Sequence, residues 1–480
     1  MNLFYFIYCI YLVLPIFSKQ TSFSNDPLHY GIIVDAGSTQ TRLYIYQFHG
    51  PSNASYSPYV EPALLKDSGQ QAKFIQEGSI AELKSKDMEE FFKGMINFAK
   101  DYIPKEKHRQ TTFHVLATAG VRVLGFKKIK KVVNKVSEYL IQIKDFPFKI
   151  DEDFGVQVLP GEFEGAYDWL TINYLAGTLN KSAVKDSIIS IDFGGASLEL
   201  TFEPTERLSE GSFPLRVNGT DRILYTQSYL KFGRNQALIR HRQQLVENSW
   251  SEMENDTVKI EVIDPCFPIN YRQKIKVEVF GKVRKVNFVG GGNYSLCEIL
   301  TLDLLRKNVF CAAEPCGMNG KHQPNLPLNR PIFALDGFNK LGKILNCKGI
   351  TNIHCLETSA LNYCIDRKIE KVKDNNNNNN DNNNEILNIN SKYNNNYSEC
   401  FLAAYGINIL KNGFNIDTFR QIHLTDDYHN INIGWTLGAI IYELEIMSFK
   451  KGYCEENIND KRNRVGIKNM YSPLKLDRLF

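Results

Sequence analysis

At 480 residues the chain is longer than one hydrophobic core usually serves, and with 43% apolar residues it can bury two cores of ordinary size. Its net charge of +4 is small and not gathered into a basic domain, which argues against a nucleic-acid binder; the basic runs at 127–131 ("KKIKK") and 273–285 read as solvated faces. Nine of the ten cysteines lie beyond Pro265, a clustering that predicts disulfides stapling one lobe rather than a zinc site, because no paired CxxC or finger-spaced histidines accompany them.

The first element is an apolar run from Phe4 to Phe17. It is about fourteen residues long, which suits a signal-peptide core better than a membrane span of about twenty. Residues 1–18 are therefore read as a signal peptide, with an uncleaved type II membrane anchor through residues 4–17 as the alternative. The chain is expected to be secreted or in the secretory-pathway lumen, touching a membrane only if this segment is retained. Sequons at Asn53, Asn180, Asn218, Asn255, Asn293 and Asn396 fit that route. Nine cysteines beyond the signal leave one unpaired, with Cys454 the easiest candidate.

Next come two strands, "GIIVDAG" and "TRLYIYQF", flanking a glycine turn. Apolar spacing near 3.6 predicts a helix over 80–100, "TTFHVLATAGVR" a strand ending in a small-residue turn, and "FKKIKKVVNKVSEYLIQ" another helix. After Asp192 the order recurs, and alternating strands and helices indicate α/β lobes. The asparagine-rich tract 374–396 buries too little apolar surface to order itself and reads as a disordered insertion. A helix is expected from Trp435, with Gly434 and Gly438 allowing close packing.

Two stretches repeat one pattern. "IIVDAGSTQTRLYIY", from Ile32, and "ISIDFGGASLELTF", from Ile189, each show an apolar strand, an acid (Asp35, Asp192), a glycine turn, a hydroxyl (Ser38 or Ser197) and a second apolar strand. Glycine turns present backbone N–H groups to phosphate oxygens without obstruction, and an acid just before the turn can hold a hydrated divalent cation. Two such hairpins facing across a cleft would clamp a polyphosphate from both sides.

Between and beyond them lie "ATAGVR" (117–122), "GEFEGAYDWLTINYL" (161–175) and "GWTLGAIIY" (434–442), with "YTQSYLKFGRNQA", "DPCFP", "GGNYSLC" and "CAAEPCGMNG" in order. With the hairpins, these motifs resemble the apyrase-conserved regions of the nucleoside triphosphate diphosphohydrolases, the ecto-apyrases. The resemblance implies an α/β fold of two RNase H-like lobes of the actin, hexokinase and heat-shock ATPase superfamily, with an active-site cleft between them. The expected division is 28–163 plus 431–480 for the N-terminal lobe and 164–430 for the disulfide-bearing C-terminal lobe. It further implies hydrolysis of the terminal phosphate of nucleoside tri- and diphosphates with Mg²⁺ or Ca²⁺. Two alternatives stand beside it: a luminal nucleoside diphosphatase, or a non-catalytic nucleotide-binding protein.

By the same resemblance Glu164 is the base activating water, with Glu162 its rival two residues earlier. Thr118 and Ser197 would orient the water, and Asp35 and Asp192 would order the metal's water shell. Ser38, Thr39, Gly194, Gly195 and Ala196 would contact phosphate, supported by Arg42 and Arg122; Arg122 could equally tie the lobe together through a carboxylate. The implied disulfides are Cys266–Cys297, Cys311–Cys316 and Cys364–Cys400. Two departures stand out. Glu199 occupies the place of the family's usual glutamine, where an acid beside Glu164 would face the water, be protonated in acid and set the acidic limb of the rate profile. In "FALDGFNKLG", Phe338 remains of an aromatic run at the base pocket, while Asn339 and Lys340 replace tyrosines, leaving base stacking open.

Overall fold

The computed structural model describes residues 27–49, 59–150, 155–180, 186–249, 260–365 and 395–456. The 1–18 segment, the asparagine tract to Asn394, and Asn53 and Asn255 fall outside these residues, as does the side chain of Cys454.

The first sheet begins with the antiparallel hairpin β1 (Leu28–Ala36) and β2 (Gln40–His49), and β3 (Val60–Pro62) and β4 (Lys73–Glu77) both pair with β2. On the other side β5 (Thr112–Ala117) and β6 (Val156–Val158) add in parallel, for the order β3-β2-β1-β5-β6. The second sheet repeats the plan. Its hairpin is β7 (Ile189–Phe193) and β8 (Ser197–Phe202), followed by β9 (Ser212–Val217) and β10 (Thr220–Leu230). After a side sheet of β11 (Ile260–Asp264), β12 (Arg272–Val279) and β13 (Lys282–Gly290) come β14 (Ile332–Asp336), β15 (Gly349–Thr351) and β16 (Ile422–Leu424). The path β10-β8-β7-β14-β16 has the same succession of two antiparallel and two parallel pairings as β3-β2-β1-β5-β6. The chain thus folds as two RNase H-like α/β sheets, with the repeated hairpin opening each copy.

Register corrects one detail of the repeat. Asp35 pairs with Arg42, and Asp192 with Glu199, seven positions on in both hairpins. Counting from the acids, Ser38 therefore matches Gly195 and Ser197 matches Gln40, so the two hydroxyls are not equivalents.

The helices follow apolar spacing. α1 (Met88–Tyr102) buries Met88, Phe91, Phe92, Met95, Ile96 and Ala99. It starts eight residues later than the pattern from Ile80 predicts, because Ser79 is tied elsewhere. Its Oγ donates to the Gly37 carbonyl (2.9 Å) and accepts from Ala81 N–H (3.3 Å), a side-chain bond that competes with helix formation. After the short α2 (Ala119–Arg122), α3 (Phe126–Gln142) buries Ile129, Val132, Val133, Val136 and Leu140 and leaves the "KKIKK" lysines in solvent. α4 (Gly161–Leu175), α5 (Arg234–Asn248), α6 (Tyr294–Asp303), α7 (Gly337–Ile344), α8 (Ile353–Cys364), α9 (Glu399–Asn408) and α10 (Trp435–Glu456) complete the set.

α4 and α10 cross between the two sheets, sharing a core in which Trp169, Leu170, Leu437 and Ile440 pack with Ile33 of β1 and Leu224 of β10. Gly438 makes the crossing possible, since a Cβ there would run into the Tyr167 carbonyl, and Gly438 N–H donates to Thr171 Oγ1 at 2.8 Å. The expected lobe boundary at 163/164 falls in the first turn of α4.

Cys266–Cys297, Cys311–Cys316 and Cys364–Cys400 are bonded, and so are Cys347 and Cys355, a pair not foreseen. Four disulfides place the folded chain in an oxidising compartment. No helix among the described residues is long and apolar enough to cross a membrane.

Candidate active site

A cavity of about 320 Å³ opens where the two hairpin turns meet. The turns nearly touch: a Cβ on Gly195 would lie 3.0 Å from Ser38 Oγ, and one on Gly120 would lie 2.5 Å from Ser38 Cα. In the second turn the carbonyls of Gly194 and Gly195 accept from Arg234 and Asn235 N–H (3.0 and 2.9 Å) at the start of α5, and that of Ala196 from Lys231 N–H (2.8 Å). These bonds pin the second turn onto the start of α5, and Gly233 permits the close approach, since a Cβ there would lie 2.4 Å from Ala196 N and 2.5 Å from Ser197 N. In the first turn the Gly37 carbonyl is held by Ser79 Oγ and that of Thr39 by Gly78 N–H (2.9 Å each), which fixes the turn against the segment after β4.

Of the residues singled out from sequence, Asp35, Ser38, Thr39, Arg42, Thr118, Glu164, Asp192, Gly194, Gly195, Ala196 and Ser197 all line this cavity. Thr118 precedes α2 without using its hydroxyl as a cap, leaving it available to the cleft. Glu164 is buried in the first turn of α4, and its Oε2 accepts from Arg122 Nη1 at 2.7 Å; Glu162 is exposed and absent from the cavity wall. Arg42 lies 3.5 Å from Asp35 Oδ2.

Arg122 and Glu199 do not reach the cavity. Arg122 sits beneath it, donating through Nη1 to Glu164 and the Leu159 carbonyl (2.8 Å) and through Nη2 to Ser197 Oγ (3.1 Å) and Glu199 Oε1 (3.4 Å). It braces carboxylates rather than meeting phosphate. Glu199 does share the face of Ser197, but it is 1% exposed and its Oε1 also accepts from Ser228 Oγ (2.7 Å). It therefore touches Arg122 beneath Glu164 instead of facing the cleft. Burial, reinforced by the Glu164 charge and opposed by Arg122, pushes its carboxyl up to about 8, so its titration falls above neutrality instead of in acid.

Sequence reasoning passed over Asp168, one helical turn beyond Glu164. It lines the cavity at 2% exposure, and Oδ2 has no hydrogen-bond partner. Burial and then the Asp192 charge raise its carboxyl well above the ordinary range; burial and then Asp336 do the same to Asp192. Asp35 is pushed up to about 7 by burial, with Arg42 opposing. This donor set fits a hard divalent cation: carboxylate oxygens, one of them orphaned, in a cleft short of positive charge. Among the described residues no three cleft carboxylates bring ligand atoms within 4.8 Å of one another, which suits an ion that keeps its water. The one triplet that does, His241, Asp264 and Cys266, has its sulfur in a disulfide.

Phe338 is a correction. It is fully buried against Phe193 (4.9 Å between ring centres), so it offers no stacking face. Asn339 Nδ2 donates to Asp426 Oδ2 (2.6 Å), whose Oδ1 accepts from Asp336 N–H (2.7 Å). This holds Asp336 at φ 47°, an unusual conformation for a non-glycine residue, where it pairs with Arg234 at 2.7 Å. That end of the cleft is walled by Arg234, Asn235, Asp336 and Asp426, a polar surface with no counterpart in the sequence expectation.

Residues 21–460 match the GDA1/CD39 (nucleoside phosphatase) family. The chain belongs to that family. It is a nucleotide phosphatase, a hydrolase of phosphoanhydride bonds. Its sequence is 28% identical to mouse ectonucleoside triphosphate diphosphohydrolase 1 over 461 residues, covering 87% of this chain and 82% of the relative. It is also 28% identical to the guanosine-diphosphatase of Schizosaccharomyces pombe over 441 residues, covering 87% and 74%. In fold it resembles a crystal structure of nucleoside triphosphate hydrolases from Neospora caninum, with a TM-score of 0.58, 12% identity and coverage of 90% and 95%.

Proposed function

We propose that this family member removes the terminal phosphate of nucleoside tri- and diphosphates, with Glu164 as the base. The observation that carries the reading is a carboxylate, braced through Oε2 by Arg122, set in the wall of the cleft where the two glycine turns meet. Glu164 Oε1 takes no hydrogen bond from a described residue and is the proton acceptor. Thr118 and Ser197 hold the water, whose oxygen bonds to the terminal phosphorus as the bond to the bridging oxygen breaks. Products are orthophosphate and the shortened nucleotide. The turn residues Ser38, Thr39, Gly194, Gly195 and Ala196 receive phosphate oxygens on their backbone N–H groups, with Arg42 in support. A divalent cation, Mg²⁺ or Ca²⁺, supplies charge neutralisation of the phosphate oxygens when bound, with Asp35 and Asp192 ordering its water. A base so placed is worth about 10²- to 10⁴-fold in rate.

The lobes are assigned as 28–163 with 431–480 and as 164–430, with the cleft between them. The compartment is the secretory lumen or the exterior. A diphosphate-restricted enzyme is the second reading, favoured by the equal similarity to the yeast guanosine-diphosphatase. Phosphate release from ATP, ADP, GDP, UDP and polyphosphate, with and without chelator, tests both. Release from ATP and ADP alike supports the first reading, release confined to GDP and UDP the second, and inertness toward every nucleotide refutes both.

A further inference from the structure

The cleft holds more carboxylate than its cationic side chains neutralise. Six carboxylates line it against three cationic side chains, Arg42, Lys73 and Arg234; Asp35 is paired with Arg42, Glu164 with Arg122 beneath the wall and Asp336 with Arg234 at 2.7 Å, while Lys73 is exposed. Asp168 and Asp192 line the same space, and neither forms an ion pair with a described residue. Asp426, the remaining acid of the wall, is held by Asn339 Nδ2 and Asp336 N–H, which leaves Asp168 and Asp192 as the complement of one divalent cation.

Asp168 is the more demanding of the two. It is 2% exposed, its Oδ2 is buried without a partner, and α4 carries it on the face of Glu164, toward the cavity. A buried carboxylate with neither a counter-charge nor a donor is among the costlier things a fold can contain. The contacts of α4 with α10 run through Tyr167, Trp169, Leu170 and Thr171, on either side of Asp168. Its neighbours in charge are Asp192, Glu164, Glu199 and Asp35, all acids.

We propose that Asp168 is a third carboxylate of the divalent-cation site, joining Asp35 and Asp192, so that the cation is held before a nucleotide arrives. A hydrated ion reaches all three through its water, as their separation requires, and three acids retain it where two would depend on phosphate oxygens to complete the site. The inference shares the cleft with the nucleotidase reading but is tested without substrate.

The experiment is a Mn²⁺ titration of the nucleotide-free full chain by electron paramagnetic resonance, with Mg²⁺ and Ca²⁺ as competitors, on the native protein, Asp168→Asn and Asp168→Ala. Urea midpoints are taken in EDTA and in excess cation. The native chain is expected to bind one Mn²⁺ that Mg²⁺ or Ca²⁺ displaces, and both variants to bind it at least tenfold more weakly. In EDTA the Asp168→Asn midpoint should equal or exceed the native one, since the amide needs no counter-charge, while the gain on adding cation shrinks. Unchanged Mn²⁺ affinity in both variants overturns the proposal, as does a native chain that takes up Mn²⁺ only with nucleotide. A lowered Asp168→Asn midpoint in EDTA with unchanged affinity also overturns it and makes Asp168 a structural acid. Tenfold weaker Mn²⁺ binding in a protein inert toward every nucleotide would leave this site standing and strike the nucleotidase reading alone.

Discussion

Replacing Glu199 by glutamine should make the protein more stable at pH 8 and leave it unchanged near pH 5. The buried carboxyl keeps its proton up to about pH 8, whereas in the unfolded chain it loses it near its ordinary value of 4.5. Between those limits the folded state binds the extra proton, so stability falls as pH rises. Each pKa unit is worth about 1.4 kcal/mol, so ionising Glu199 in place costs on the order of 5 kcal/mol once pH exceeds 8. Glutamine copies the protonated acid: Oε1 still accepts from Ser228 and Arg122, and nothing ionises. Urea denaturation of both proteins from pH 5 to 8.5, in EDTA so that cation binding does not intrude, should give midpoints that nearly coincide at pH 5, separate steadily as pH rises toward 8 and level off beyond it. Parallel curves across the whole range would refute the buried, proton-bearing Glu199. The same titration reaches catalysis through Arg122, for which an ionised Glu199 competes with Glu164. Native phosphate release should therefore fall above about pH 8 while Glu199→Gln holds its rate, and Glu199→Ala should lose much of its activity at every pH.

Glu164→Gln should abolish phosphate release, a loss in kcat with nucleotide binding retained, whereas Glu162→Gln should be nearly silent; steady-state kinetics beside a binding assay separates them, and the reverse pattern removes Glu164 as base. Excess EDTA should stop turnover and Mg²⁺ or Ca²⁺ restore it, while a zinc-selective chelator has no effect, so activity persisting in EDTA contradicts a cation-dependent cleft. Gly438→Ala should destabilise the fold by about 1–3 kcal/mol in urea, because the added methyl meets the Tyr167 backbone where α4 and α10 cross; an unchanged midpoint would show that the crossing can open.

The hairpins were legible because a strand, an acid and a glycine turn are local, and their recurrence signals two copies of one sheet. Most of the cavity wall followed from motifs on those turns and at the start of α4. Asp168 escaped because α4 is buried on nearly every side, which removes the periodicity that would mark which face meets the cleft. Asp426 reaches the site from the segment after β16, across a chain separation that no local pattern reports. Phe338 misled for a related reason: an aromatic beside a motif says nothing of whether its ring points to ligand or core, and here Phe193 claims it. The Cys347–Cys355 bridge is a reminder that spacing does not give connectivity.

A nucleotide's phosphate chain has unlike ends, one esterified to the nucleoside and one free, and a clamp made of two identical halves could not tell them apart. The two hairpins superpose in register but differ at the residue seven positions past the acid, which is Arg42 in one half and Glu199 in the other. One half thus offers a guanidinium close to solvent, and the other a buried proton-bearing acid tied through Arg122 to Glu164. With Ser38 against Gly195 and Gln40 against Ser197, that inequality makes the two halves of the grip chemically distinct, like a socket keyed to its plug.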